Sequence, residues 1–259
     1  RVLGDKIQNY VFIDINIELI KMQKKAVKGA LHFKKIEDIP KKPSIFIGNE
    51  FLDTFPVNQF VLSNECFKEI CVDYKNQKLI FSRQVTSLSK TLDKKKLNQV
   101  KVNDILEINF ESRKFIDKVS SFIKENNGGA IFFDYGYTSS HGDTFQAIRE
   151  NKFVNPLDDP GNADLTAHVD FNDIAKRAIN NLVNVWGPDT QRTFLKKMGA
   201  IERFKALESV SDNKIKQELR LGLNRLIDID EMGKLFKVLA ITSNKFPSPE
   251  GFTCGTRSS

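Results

Sequence analysis

The sequence predicts a doubly wound α/β sheet, interrupted by a β-rich excursion and followed by a helical C-terminal third. Three observations carry this. In the first 50 residues, short β-branched and aromatic runs alternate with a stretch of helical spacing, which is the order of a parallel sheet. Three apolar runs empty into acids, Asp14, Glu50 with Asp53, and Asp134, where such a sheet gathers its strand ends. Beyond residue 170, apolar side chains recur at helical spacing.

Tyr10-Val-Phe-Ile-Asp-Ile15 reads as a buried parallel strand. Asn16 stands at an N-cap position, and Glu18 to Gly29 follows helical spacing through Leu19, Met22 and Val27, with Gly29 as the stop. A short strand at Leu31–Phe33 and a Pro-containing loop lead to a buried strand at Ser44–Asn49. From Val57 the pattern turns to short strands, Gln59–Leu62, Phe67–Asp73 and Lys78–Arg83, with a turn at Tyr74–Gln77 and a polar connector over Thr86–Asn98. We assign 57–110 to this excursion. Glu111–Asn126 is a helix with Phe115, Val119, Phe122 and Ile123 on one face, stopped by Asn127-Gly128-Gly129. Ala130–Phe133 is a buried strand ending in Asp134-Tyr135-Gly136-Tyr137. The expected helices that follow are Asn172–Val185, Thr190–Met198, Ile201–Ser209 and Asp212–Ile227, forming a lobe over 172–234. A last strand, Leu235–Thr242, precedes a loop tail.

Composition narrows the function classes. The 259 residues are 40% hydrophobic and 28% charged, a globular balance. No apolar run approaches the length of a membrane span, and Arg1–Asp5 has no signal-peptide apolar region. The net charge of +7 comes from lysines scattered among acids, so it reads as a solvated surface and not a nucleic-acid face. The one dense run, Lys94-Lys95-Lys96, lies beside Asp93 in the polar connector. Cys66, Cys71 and Cys254 fit neither a disulfide framework nor a zinc site, and His32, His141 and His168 are far apart, so no metal is expected.

The strand-end acids carry the chemistry. A carboxylate ending the second strand of a nucleotide-binding sheet accepts two ribose hydroxyls, a role that suits Asp14. The alternative is an acid that only organises the start of the Glu18 helix. A glycine-rich turn belongs about 20 residues before that acid, and no G-x-G occurs there. If the fold is a nucleotide fold, the Tyr10–Ile15 strand has an unfilled neighbouring position. Glu50 and Asp53 read either as paired functional carboxylates or as a strand end and a cap.

Longer motifs favour the functional reading. Asn49-Glu-Phe-Leu-Asp-Thr-Phe-Pro-Val-Asn-Gln-Phe60, Asp134-Tyr-Gly-Tyr137, Gly142-Asp-Thr144, Asp164-Leu-Thr-Ala-His-Val-Asp-Phe171 and Met232-Gly-Lys-Leu-Phe-Lys-Val238 occur in that order. Together with Thr190-Gln191 and Phe194-Leu195 they resemble the MidA family of class I S-adenosylmethionine-dependent methyltransferases. The resemblance implies a Rossmann-like sheet, S-adenosylmethionine as cofactor and protein arginine methylation. It also implies, as partner, an arginine side chain of a protein such as a respiratory complex I subunit. The implied location is the mitochondrial matrix for a eukaryotic protein and the cytoplasm for a bacterial one. The family's N-terminal glycine-rich loop has no counterpart here, and Thr253–Ser259 is unlike a family ending.

The resemblance implies these site roles. Glu50 and Asp53 clamp the guanidinium, which presents five donors in a plane that carboxylates grip bidentately. Asp14, Asn49 and Asp134 face the cofactor. Tyr135 forms an aromatic wall for the cation. His168 is either a proton acceptor or a satisfied structural histidine. Gln191 is a candidate substrate contact on the helical lobe that covers the site. Two other classes compete: a binding scaffold that keeps the fold without activity, and a different Rossmann-type enzyme such as a dehydrogenase. The second is disfavoured by acids that would repel a pyrophosphate.

Overall fold

A computed structural model describes residues 7–63, 66–92, 101–138 and 142–256. Arg1–Leu3, the Lys94–Lys96 run, His141 and the last three residues lie outside them. The chain begins with β1 (Val11–Ile13), α1 (Ile17–Ala26), β2 (Leu31–Phe33) and β3 (Ser44–Asn49). A separate antiparallel sheet follows from β4 (Asn58–Ser63), β5 (Cys66–Lys75), β6 (Lys78–Gln84) and β7 (Ile105–Ile108), in the order β6-β5-β4-β7. Next come α2 (Phe110–Asn126), β8 (Gly128–Tyr137) and a small three-stranded sheet of β9 (Gln146–Arg149), β10 (Lys152–Val154) and β11 (Asp164–Thr166). The remaining elements are β12 (Val169–Asp170), α3 (Phe171–Asn180), β13 (Asn184–Thr190), α4 (Gln191–Lys197), α5 (Ala200–Ser209), α6 (Asn213–Ile227), α7 (Met232–Leu235), β14 (Phe236–Thr242) and β15 (Gly255–Thr256).

The central sheet is organised around β8. One edge of β8 pairs in parallel with β3, from Ser44↔Gly128 to Asn49↔Phe133, and further along with β12. Its other edge pairs antiparallel with β14, which pairs with β13, which in turn takes β15. Helices α2 and α3 cover one face and bury Ile116, Val119, Phe122, Ile123, Phe171 and Ile174 against Phe132, Leu239 and Ile241. Each such side chain contributes roughly 1.5–3 kcal/mol by leaving water. Bidentate Arg113–Asp173 bonds of 2.6 and 2.7 Å fix the two helices together, with a second pair, Arg177–Asp117, one turn on.

β1 and β2 pair in parallel with each other. Among the described residues, the second edge of β1 and the second edge of β3 carry no strand. The outer face of β3 is also uncovered. Ile45 and Ile47 are 67% and 75% exposed, and no residue of α1 is buried. The run Ser44–Ile47 is thus buried on one face only, not on both as its continuous apolar character suggested.

Two expectations need correction. The helix expected over Asn172–Val185 ends at Asn180; Asn184–Thr190 crosses to the central sheet as β13, so the helical lobe comprises only α4 to α7. The tail is not all loop, because β15 pairs with Val185 and Trp186. A packing prediction arises at Gly136, where an added Cβ would stand 2.1 Å from the Val169 carbonyl oxygen. Gly136→Ala must push β12 from β8. A loss of about 2 kcal/mol is expected in urea unfolding, in the range for overpacking a tight contact; an unchanged midpoint would show that the strands yield freely.

Candidate active site

The site grows from the turn after β3. Glu50 adopts a left-handed φ of 46° while its N–H still bonds the Phe133 carbonyl at 2.9 Å, so the strand ends there and the chain swings across the sheet edge. Residues Leu52–Thr54 then form a single 3₁₀ turn. Its amides converge on Asp134 of β8. Asp134 Oδ2 accepts the N–H groups of Phe51, Leu52 and Asp53 at 3.0, 2.8 and 3.3 Å, and Oδ1 accepts the N–H of Tyr135 at 3.0 Å. The far end is tied down by Asn109, the N-cap of α2, whose Nδ2 donates to the Phe55 carbonyl at 3.0 Å. Phe51, Phe55 and Phe115 pack together at the turn, edge-on or tilted, with centroids 4.9, 5.2 and 5.4 Å apart.

This geometry turns Asp53 inward, to 5% exposure, and leaves Glu50 exposed with only a long 3.5 Å contact from Asn49. The Tyr135 hydroxyl donates to Asp53 Oδ2 in a short hydrogen bond. Asp53 Oδ1 is buried and has no hydrogen-bond partner among the described residues. Tyr135 is half-buried: the ring of His168 stands edge-on at 5.5 Å and Phe236 at 5.6 Å, with Thr166 beside its hydroxyl.

Burial pushes the Asp53 carboxyl up from its ordinary value. Burial, then the like charge of Asp53, pushes Asp134 up to about 7. Burial and the bond to Asp53 raise Tyr135, and burial lowers His168, which is therefore a neutral imidazole near pH 7. The sign of the stability effect follows. Where a carboxyl is raised on folding, the folded chain binds more protons than the unfolded one between the two values. Stability should therefore fall as pH rises from about 4, the ordinary carboxyl value, to about 7. The expected change is up to about 4 kcal/mol, taken from 1.36 kcal/mol per unit. Denaturant midpoints at pH 5 and pH 8 measure it, and a higher midpoint at pH 8 would contradict the buried pair.

The structure brings Glu50, Asp53, Tyr135 and His168 to one edge of the sheet and sets the other candidates apart. Asp134 is 1% exposed and accepts backbone amides on both oxygens, so it holds the turn. Gln191 is buried, and its side chain donates to the Leu226 carbonyl at 2.9 Å, latching α4 to α6. Asn49 is exposed at the end of β3. Asp14 is half-buried at the end of β1, accepting the Asn16 N–H at 2.9 Å and Gln23 Nε2 at 2.7 Å, one bond on each oxygen. A carboxylate oxygen has a second lone pair, so Asp14 fits a ribose diol while also organising the α1 turn. The sequence reading missed Thr166 and Phe236 as supports of Tyr135, although both lie inside motifs it singled out.

An acid at the end of β1 in a two-stranded parallel sheet, and two more in the turn after β3 beside the parallel β3–β8 pair, fit a Rossmann-like α/β fold. Residues 3–188 match the family model described as "Putative S-adenosyl-L-methionine-dependent methyltransferase", and the chain belongs to that family. It is 33% identical over 214 residues to the mitochondrial protein arginine methyltransferase NDUFAF7 of Danio rerio, covering 81% of this chain and 50% of that protein. The human protein of the same name is 30% identical over 210 residues, covering 81% and 48%. The chain thus spans about half the length of the curated relatives it matches. Two crystal structures of COG1565 superfamily proteins from Burkholderia thailandensis share the fold, with TM-scores of 0.84 and 0.82 at 22% and 21% identity. Each covers 99% of this chain, and the chain covers 72% and 70% of them; the second is bound to S-adenosyl-homocysteine.

Proposed function

We propose that this chain carries the acceptor side of an S-adenosylmethionine-dependent protein arginine methyltransferase. The observation that supports this most directly is Asp53: a buried carboxylate with one oxygen pinned by Tyr135 and the other without a partner. A buried acceptor left open is costly unless a donor fills it. A guanidinium N–H is such a donor, and the name shared by the mitochondrial relatives supports arginine as its source.

In this reading Asp53 Oδ1 and the exposed Glu50 carboxylate grip two edges of the guanidinium, which orients one nitrogen toward the methyl donor. Tyr135 holds Asp53 in place and presents its ring to the cation. The reaction releases one proton from the methylated nitrogen, and His168, kept neutral by burial, is in the state that accepts it. S-adenosylmethionine supplies the methyl group from its sulfonium; Asp14, with Asn49 nearer the acceptor, would hold its adenosine portion. The finer expectation is a respiratory complex I subunit as substrate, in the mitochondrial matrix or its bacterial cytoplasmic equivalent. No helix among the described residues is long and apolar enough to cross a membrane.

Mass spectrometry of a candidate complex I subunit, incubated with the complete gene product and S-adenosylmethionine, tests the reading. A cofactor-dependent methylarginine is expected, made about 10- to 100-fold more slowly by Glu50→Gln, less than the loss of a buried preorganised contact because Glu50 is exposed to water. Unchanged methylation in that variant removes Glu50 from the clamp. A scaffold without activity is the second reading. Calorimetry decides between them: no heat with S-adenosylmethionine, from a chain shown to be folded, supports the scaffold.

A further inference from the structure

Glu107 lies on β7, in the antiparallel sheet outside the methyltransferase core, yet it is 7% exposed and fully engaged. Oε1 accepts Gln59 Nε2 at 2.9 Å and the N–H groups of Thr144 and Phe145 at 2.8 and 3.0 Å. Oε2 accepts the Thr144 hydroxyl at 2.6 Å. That hydroxyl in turn accepts the backbone N–H of His168 at 2.9 Å, which fixes the main chain that carries the imidazole. The loop bearing Thr144 lies with its backbone directly on β7: a Cβ added to Gly142 would stand 1.7 Å from the Ile105 carbonyl oxygen. All four donors to Glu107 are neutral. A buried carboxylate gives up its hydration, and these four bonds must offset that cost. Its charge strengthens each of the four bonds and fixes their directions.

We propose that Glu107 is a positioning residue for the acceptor site: through Thr144 it sets His168 edge-on against Tyr135, the residue that aims Asp53. This rests on the methyltransferase reading. It also gives the β-rich sheet a task, since β7 and β4, through Gln59, then brace the wall of the site from outside the core. A supporting shell of this kind decides whether a reacting group is held to within a fraction of an ångström.

The test uses Thr144→Val, which deletes the bridging hydroxyl, Glu107→Gln, and Thr144→Ser, which keeps the hydroxyl. Two quantities are read in the complete gene product: the His168 imidazole proton resonances, assigned with His168→Asn, and the kcat and KM for an arginine peptide. Thr144→Val and Glu107→Gln should shift the His168 resonances, through the changed ring current of Tyr135, and lower kcat about tenfold with KM nearly unchanged, as small misplacements do. Thr144→Ser should restore both. Resonances that stay put in Thr144→Val, or that move without any change in kcat, overturn the proposal. A parent that transfers no methyl group to any arginine peptide, while the resonances still shift, overturns the methyltransferase reading and this role with it, and leaves the geometry intact.

Discussion

Asp53→Asn is expected to abolish most arginine methylation, by on the order of 100-fold, while making the folded chain more stable above pH 7. The loss follows from Oδ1, the buried oxygen that has no partner of its own. Asparagine is nearly isosteric, and its one oxygen can still accept the Tyr135 hydroxyl. Its amide nitrogen then faces the site, where two donors meet and the charge that grips a guanidinium is gone. Removing one preorganised charged contact from a reacting group typically costs 10²- to 10³-fold. The stability gain has a separate origin. Asp53 is the like charge that helps push Asp134 up to about 7. Without it, the fall in stability between pH 5 and pH 8 should flatten. Cofactor affinity, measured by calorimetry, should be unaffected. A variant that methylates normally, or one that is less stable than the parent at pH 8, would sink this account of Asp53. A site residue that weakens the fold it sits in is the usual trade between stability and activity.

The sequence made parts of this site legible because strand ends are written locally. Ser44–Asn49 carries its own β signal and runs straight into acids, and Asn16 stands where it caps α1. What is not local was not legible. Asp134 looks like one more strand-end acid, but its partners are the amides of a turn more than 80 residues earlier, so its burial depends on tertiary closure. Gln191 likewise meets a carbonyl 35 residues away. β7 was overlooked because its four residues follow a long polar connector, leaving too short a run to show a period. The expected helix runs two residues into β13 because Asn181–Val185 continues the apolar spacing of α3, and residues 186–189 carry no strand signal of their own. The Gly187-Pro188 pair inside β13 was the available breaker signal. The uncovered outer face of β3 lies beyond any periodicity argument, since a run of Ile and Phe looks the same whether one face or both are packed.

Asp134→Ala should cost the fold about 3–5 kcal/mol, the largest single stability loss expected of any site residue. The carboxylate accepts four backbone N–H groups, three of them from the turn that carries Leu52, 1% exposed, and Asp53. Alanine leaves those amides unpaired where water does not reach, and each buried orphan costs about 1–3 kcal/mol before relaxation. Asp134→Asn separates the contributions. It keeps one oxygen for the turn and removes the like charge beside Asp53, so it should lose only about 1–2 kcal/mol at pH 5, roughly one hydrogen bond with its alignment. The pH dependence of the denaturant midpoint should shrink with it, leaving the part that the burial of Asp53 contributes. Cofactor affinity should survive in the asparagine variant, because both carboxylate oxygens accept backbone amides. If Asp134→Asn instead lost cofactor binding while keeping its midpoint, Asp134 would be the ligand contact that its place at a strand end suggests. The turn would then have to be held by the aromatic cluster of Phe51, Phe55 and Phe115 alone.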